Sequence, residues 1–197
     1  MATMAYNNVR KDIKIYLEYS NEAWNMFFDS GKYTQKMGDA LNLSTDAVKS
    51  RNYFYALRSK QIITIWKNVF GDREDQLVLV LGTLTVYPGV TYNILGYENV
   101  TKSHSNVMLG ITGYFDCSIT PTVVANSEIY EILDACSADL SNVEKFIKTQ
   151  AQIAKQFNIS VGMYESGSSL MEGQAIYDGS ETAGATEKYI AGKFIYK

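Results

Sequence analysis

The sequence has few residues of the kinds that bind metal ions or form cross-links. Its 197 residues include one histidine, His104, and two cysteines, Cys117 and Cys136. A structural zinc site needs about four such ligands, and two cysteines allow one disulfide at most. We therefore expect no metal and no cofactor, and we expect both cysteines to be free thiols, with a single bridge as the alternative. His104 lies in a polar segment, 102–106, where we expect it to be solvated.

A positive charge excess and long apolar runs are also missing. The 18 basic and 21 acidic residues give a net charge of -3, which leaves no broad basic face to neutralise a phosphate backbone. No apolar run approaches the roughly 20 residues of a membrane-spanning helix, and residues 1–11 lack the pattern of a secretory signal. We expect a soluble protein without nucleic-acid or membrane partners.

The composition is that of one globular domain, and we predict a single domain over 1–197. Hydrophobic residues make up 46% of the chain, enough for a substantial core, and aromatic residues make up 13%. The aromatic excess indicates either a heavy core or a surface that stacks on flat or sugar-like ligands.

Apolar runs of strand length alternate with longer segments of helical period, which favours βα units around a parallel sheet. The second run is apolar on both faces, as in a strand that is covered on both sides. The four predicted strands are 13–19, 76–84, 107–114 and 159–164, and Lys193–Tyr196 is a further candidate.

Helices are predicted between these strands. One begins after a cap at 44–46 and ends at Gly71, and further helices cover 128–136, the segment after Asp139 or Ser141, and 92–100. The first helix carries an apolar stripe that we expect to be core, formed by Phe54, Leu57, Ile62, Ile65, Trp66 and Val69.

Two glutamates follow predicted strands, Glu22 after the first and Glu165 after the last. Catalytic groups gather at the carboxyl ends of strands in parallel βα folds. A pair of carboxylates suits glycoside hydrolysis, with retention of configuration if they lie about 5–5.5 Å apart and inversion at roughly 6.5–9.5 Å. The alternative for each glutamate is a solvated loop residue.

Two segments carry a resemblance to a known family. Tyr16–Asn25 reads YLEYSNEAWN, which resembles the Asn-Glu signature at the end of the fourth barrel strand in clan A retaining glycoside hydrolases. It looks closest to bacterial cellulose-binding or glycosidase-like proteins with a vEYSNEvWN stretch. Tyr164–Gly167 reads YESG, which resembles the family's YEgG at the end of the seventh strand. The resemblance covers roughly residues 10–170 and implies an α/β fold, a (β/α) barrel of TIM type.

The resemblance also implies roles for individual residues. Glu22 would be the general acid and then base, and Glu165 the nucleophile. The implied substrate contacts are Asn21 to the sugar 2-hydroxyl, Tyr114 to the nucleophile or the sugar, and Trp24 and Tyr164 lining a subsite. Asn21 could instead satisfy a loop backbone, and Trp24 could be core. Glu18, if it points inward, would need a buried partner.

The chain is short for the implied barrel, which usually needs about 250 residues. The first predicted strand matches the fourth barrel strand, so we expect an incomplete barrel of about strands four to seven or eight, with open sheet edges that favour self-association. Three hypotheses follow: a hydrolase of polysaccharide O-glycosidic bonds, which the resemblance implies is secreted as the full-length protein; a non-catalytic carbohydrate-binding protein; and an inactive truncated fragment.

Overall fold

The computed structural model describes residues 1–115 and 129–168. The chain divides into two compact units, the first comprising Met1–Thr112 and Lys148–Tyr164, the second Gly113–Ile147 and Glu165–Lys197. The candidate strand at 193–196 and Cys117 lie outside the described residues, and the single domain over 1–197 stays a prediction. Cys136 is a buried free thiol.

Strands and helices alternate along the described chain. The strands are Ile15–Leu17 (β1), Leu77–Gly82 (β2), Val107–Phe115 (β3) and Ser160–Ser168 (β4). The α-helices are Ala2–Asn8 (α1), Asp29–Ala40 (α2), Ala47–Phe70 (α3), Pro88–Gly96 (α4) and Ile129–Gln156 (α5), and 3₁₀ helices cover Gly71–Gln76 and Val100–Lys102.

The four strands form one sheet in the order β1-β2-β3-β4. The sheet is parallel and curls as a half-barrel, so the predicted α/β class with a parallel sheet is confirmed. Tyr16 pairs with Val78, and Val80 with Met108. Because side chains alternate along a strand, these four residues share one face of the sheet, here called the inner face.

Strand β2 is the centre of the core. All six of its residues are buried, as its apolar sequence predicts. On the outer face, Leu77 and Leu81 have no exposed surface, and Leu109 and Ile111 of β3 are equally covered.

The inner face is packed by large side chains lying over glycines on neighbouring strands. A Cβ at Gly110 would lie 3.3 Å from the Tyr164 ring, and a Cβ at Gly162 would lie 2.5 Å from Met108 Sδ. Gly82 likewise lies under the Glu18 side chain, where a Cβ would be 2.6 Å from Oε1. The glycines therefore let the long side chains lie against the sheet.

Helix α3 begins and ends where the sequence predicts. Asp46 accepts a hydrogen bond from the Lys49 N–H as the N-cap, and Gly71 follows the last turn with φ +52°. The predicted core stripe is only partly correct, since Ile65 is 53% exposed. The buried face instead includes the polar residues Asn52 and Ser59, both 0% exposed.

Other helices differ from the sequence prediction. The two segments predicted around 128–136 and after Asp139 form one continuous helix, α5. Helices α1 and α2 were not predicted. Helix α2 is polar, and its buried residues, Gly31, Thr34 and Gly38, do not form an apolar stripe. It is held by close backbone packing, which hydrophobic periodicity does not reveal.

The prediction of a solvated His104 is wrong. The residue is 6% exposed, and its Nε2 donates to the Leu77 carbonyl at 2.8 Å. This bond joins the segment before β3 to the start of β2, so His104 has a structural partner.

A buried hydrogen-bond network lies just beyond the end of β2. Thr91 donates to Gln150 Oε1 at 2.7 Å, and Gln150 Nε2 donates to the Thr85 carbonyl at 2.8 Å. The hydroxyls of Thr83 and Thr91 are also 2.8 Å apart. Because these groups are shielded from water, each depends on the others for its hydrogen bonds.

Neither α3 nor α5, the two longest described helices, is apolar enough to span a bilayer, and within 1–115 and 129–168 no other helix qualifies.

We predict that Gly31→Ala destabilises the protein by about 2–3 kcal/mol. A Cβ at Gly31 would lie 2.0 Å from the Asn25 carbonyl oxygen, and neither backbone can yield easily. Urea unfolding gives the free-energy change. Gly96→Ala is the matched control, because a Cβ there meets nothing within 4 Å; it should stay within about 1 kcal/mol of the wild type, on the stabilising side. Equal changes in the free energy of unfolding for Gly31→Ala and Gly96→Ala would contradict the close packing at Gly31.

Candidate functional site

Glu22 lies in a tight turn that follows β1. Residues 21–24 form the turn, and Glu22 has φ +46°, in the left-handed region that residues other than glycine rarely adopt. The Asn25 N–H donates to the Glu22 carbonyl at 2.8 Å, and Asn25 Nδ2 donates to the Glu22 carboxylate Oε2, also at 2.8 Å. The half-buried carboxylate is thus held in one direction by its own turn.

Helix α2 holds this turn in place through two side-chain hydrogen bonds. The buried Thr34 hydroxyl donates to the Ala23 carbonyl at 2.8 Å, and the Ser30 hydroxyl donates to the Asn21 carbonyl at 3.2 Å. The main chain of Asn21 is therefore part of the turn, while the residue as a whole is exposed. Its side chain is open to solvent, where a ligand hydroxyl could reach it.

Trp24 closes the turn and is half-buried. Within the described residues its indole Nε1 is buried and has no hydrogen-bond partner. Such an unsatisfied donor costs about 1–3 kcal/mol. Both predictions for Trp24, a core residue and a ligand contact, stay open: its ring is half-buried, and its indole N–H has no partner among the described residues.

Glu18 lies inward at the end of β1, in surroundings that sequence reasoning did not find. Its carboxylate lies over Gly82, beside the Tyr55 hydroxyl. That hydroxyl accepts the Gly82 N–H at 2.8 Å. Complete burial, followed by the nearby negative charge of Glu18, raises the pKa of Tyr55 above its ordinary value.

Tyr164 belongs to the same group of side chains. Its ring lies over Gly110, and it contributes electrostatically to the raised pKa of Tyr55. In the first unit, Glu18, Tyr55 and Tyr164 thus form a polar cluster at the carboxyl ends of the strands. The sequence analysis named Glu18 and Tyr164 of this cluster but not Tyr55, whose position depends on how α3 packs on the sheet.

The second unit brings together two of the predicted site residues. The Tyr114 hydroxyl, on β3, donates a hydrogen bond to Oε2 of Glu165, on β4. Both residues are exposed, Tyr114 by 45%. The hydroxyl orients a carboxylate that remains accessible to a ligand.

No metal centre is evident in the described parts of the chain. Within 1–115 and 129–168, no three His, Cys, Asp or Glu side chains converge closely enough to hold an ion. The side chains described at the carboxyl ends of the strands are carboxylates, tyrosines, an amide and an indole. These groups can transfer protons, attack an electrophile or bind hydroxyl groups.

Comparisons with protein-family models, curated proteins and solved structures found no match. The resemblance of the two glutamate segments to clan A glycoside hydrolases is therefore untested by any such match. The roles of Glu22 and Glu165 stay predictions.

We predict that the raised pKa of Tyr55 makes stability fall at high pH. An unfolded tyrosine loses its proton near pH 10, whereas the folded protein keeps the Tyr55 proton. This stabilisation is complete below about pH 10 and is lost above it, by at most about 1.4 kcal/mol per pH unit. Urea unfolding between pH 9 and 11.5 measures the slope.

The Tyr55→Phe variant should show a shallower slope over this range. It will be less stable than the wild type below pH 10, because the Gly82 N–H loses its acceptor, so the slope and not the stability is the diagnostic quantity. Tyr87→Phe, at an exposed tyrosine, is the control and should retain the wild-type slope. Identical slopes for Tyr55→Phe and the wild type would contradict the assignment.

Proposed function

We propose that this chain is a glycoside hydrolase-like domain that cleaves O-glycosidic bonds of a polysaccharide by a two-glutamate retaining mechanism. We further propose that its half-barrel sheet belongs to an incomplete (β/α) barrel of TIM type. The resemblance of Tyr16–Asn25 and Tyr164–Gly167 to the family's two glutamate signatures supports both proposals.

The hydrogen bond from Tyr114 to Glu165 is the observation that carries the proposal. A nucleophilic carboxylate must approach the sugar carbon from one direction, so its orientation has to be fixed before substrate arrives. The Tyr114 hydroxyl supplies such a fixed point while Glu165 stays exposed. The amide and indole groups near Glu22 add hydrogen-bond donors of the kind that bind sugars.

In the proposed reaction Glu165 attacks the anomeric carbon while Glu22 donates its proton to the departing glycosidic oxygen. A covalent glycosyl-enzyme forms, and the released sugar leaves with that proton. Glu22, now ionised, then takes a proton from water as the water displaces Glu165. The bond between Asn25 Nδ2 and Glu22 Oε2 holds the carboxylate through both steps.

The indole N–H of Trp24, which has no partner in the part of the chain that the structure describes, is a further supporting observation. A sugar oxygen could accept from this donor and remove the cost of burying it. Asn21, exposed at the start of the same turn, is the proposed partner of the 2-hydroxyl.

Hydrolysis of 4-nitrophenyl β-glycosides tests the proposal, and the absorbance of the released 4-nitrophenolate at about 400 nm measures its rate. We expect Glu22→Gln to lower kcat about 10²–10⁴-fold, the range of general acid–base catalysis. Glu165→Gln should remove the covalent step altogether. Glu98→Gln is the matched control, because its surface carboxylate lies 4.0 Å from the Lys60 ammonium and has no proposed role.

A covalent label provides a direct test of the nucleophile. Aryl 2-deoxy-2-fluoroglycosides slow breakdown of the glycosyl-enzyme, so mass spectrometry should find one added sugar on Glu165 in the wild type and none in Glu165→Gln. A label on another residue would refute the assignment. If the wild type shows neither hydrolysis nor labelling but still binds oligosaccharides, the chain is a carbohydrate-binding protein.

Tyr114→Phe should lower kcat/KM about 10-fold or more, because a hydrogen bond to a charged group contributes about 1.5–3 kcal/mol. Steady-state kinetics with the best aryl glycoside measures the loss. Tyr130→Phe, at a tyrosine on α5 that is 61% exposed, should leave kcat/KM unchanged. An unchanged rate for Tyr114→Phe would argue against Glu165 as nucleophile.

A further inference from the structure

A cavity of about 300 Å³ lies at the amino ends of the strands, within the first unit. Lys14 comes just before β1, Ser105 before β3 and Asn158 before β4, and all three line the cavity. The turn that holds Glu22 follows β1, at the opposite edge of the sheet. The cavity is therefore separate from the groups placed at the carboxyl ends.

The walls of the cavity differ in chemistry. Tyr16, on the inner face of β1, is 61% exposed and forms an aromatic wall. Val78, 8% exposed, and the half-buried Met108 line it with apolar surface. Ser105 and Asn158 add exposed polar groups. The cavity thus offers an aromatic and apolar side together with hydrogen-bonding groups.

The charge of the cavity is that of a single ammonium group. Among the described lining residues Lys14 alone is charged, and its Nζ donates to the Asp75 carbonyl at 2.5 Å. Within 1–115 and 129–168 no carboxylate side chain lines the cavity to attract a cation. A ligand rich in hydroxyl oxygens can accept from the ammonium and exchange hydrogen bonds with Ser105 and Asn158.

We propose that this cavity is a second saccharide-binding site, distinct from the proposed catalytic groups, that holds one ring of a neutral β-linked oligosaccharide. A pyranose ring has an apolar C–H face for Tyr16 and hydroxyl groups at its edge for the polar residues. About 300 Å³ is at the lower end of the range for small-ligand cavities, which suits a single ring. The choice of a saccharide rests on the proposed function, but the site itself requires no catalysis.

Amide chemical-shift mapping by NMR tests the proposal on the full chain. The probes are cellotetraose, xylotetraose and mannotetraose, with tetraethylene glycol as a flexible compound that has no sugar ring. We expect saturable shifts at 14–16, 105–108 and 158–160 with at least one tetraose, and none there with the glycol. The Glu165→Gln variant is used in parallel so that turnover does not consume the probe.

Two variants show whether the lining residues make the site. Tyr16→Ala removes the aromatic wall and should weaken binding at these amides about tenfold or more. Ser105→Trp, which places an indole at an exposed lining position, should block it. Tyr130→Ala is the matched control, because Tyr130 is also 61% exposed and does not line the cavity; it should bind like the wild type.

The results distinguish this proposal from the proposed function. Shifts confined to residues near Glu22 or Glu165, or binding that both variants leave intact, would overturn the second site while leaving hydrolysis possible. Saturable shifts at the cavity, lost in Tyr16→Ala and Ser105→Trp, would establish the site even if the fluoroglycoside labels no residue and the proposed hydrolase fails.

Discussion

The end of β2 depends on one constraint, that polar groups buried there must be satisfied without water. The Tyr55 hydroxyl accepts the Gly82 N–H, and the Gln150 side-chain amide accepts from Thr91 and donates to the Thr85 carbonyl. These partners come from helices α3 and α5, so the hydrogen bonds fix where both helices lie against the sheet. A buried donor or acceptor left without a partner would cost about 1–3 kcal/mol, which is a large share of the stability of a small protein.

The same constraint determines which side chains reach the carboxyl ends of the strands. With Tyr55 anchored to Gly82, the Glu18 carboxylate lies beside a tyrosine hydroxyl inside the protein. Tyr164 completes the cluster from β4, over Gly110. Polar groups placed in a core are costly unless each has a hydrogen-bond or charge partner, so the members of the cluster depend on one another.

The sequence predicted the features that local patterns encode. Strand β2 followed from an apolar run, and α3 from the Asp46 cap and Gly71. Partners distant along the chain were not predictable. His104 is buried where it donates to the Leu77 carbonyl, and Glu18 lies inward beside Tyr55; no periodicity reveals either contact. The apolar stripe of α3 failed at Ile65 for a related reason, since polar residues face the core.

The left-handed backbone at Glu22 has a consequence for how this chain can vary. Glycine avoids the roughly 1–2 kcal/mol that a Cβ costs in that conformation, and asparagine lowers this cost because its short side chain can hydrogen-bond locally. Drift toward greater stability would therefore favour replacing the glutamate. Among related sequences, a glutamate kept at this position would indicate selection acting on its carboxylate against the preference of the backbone.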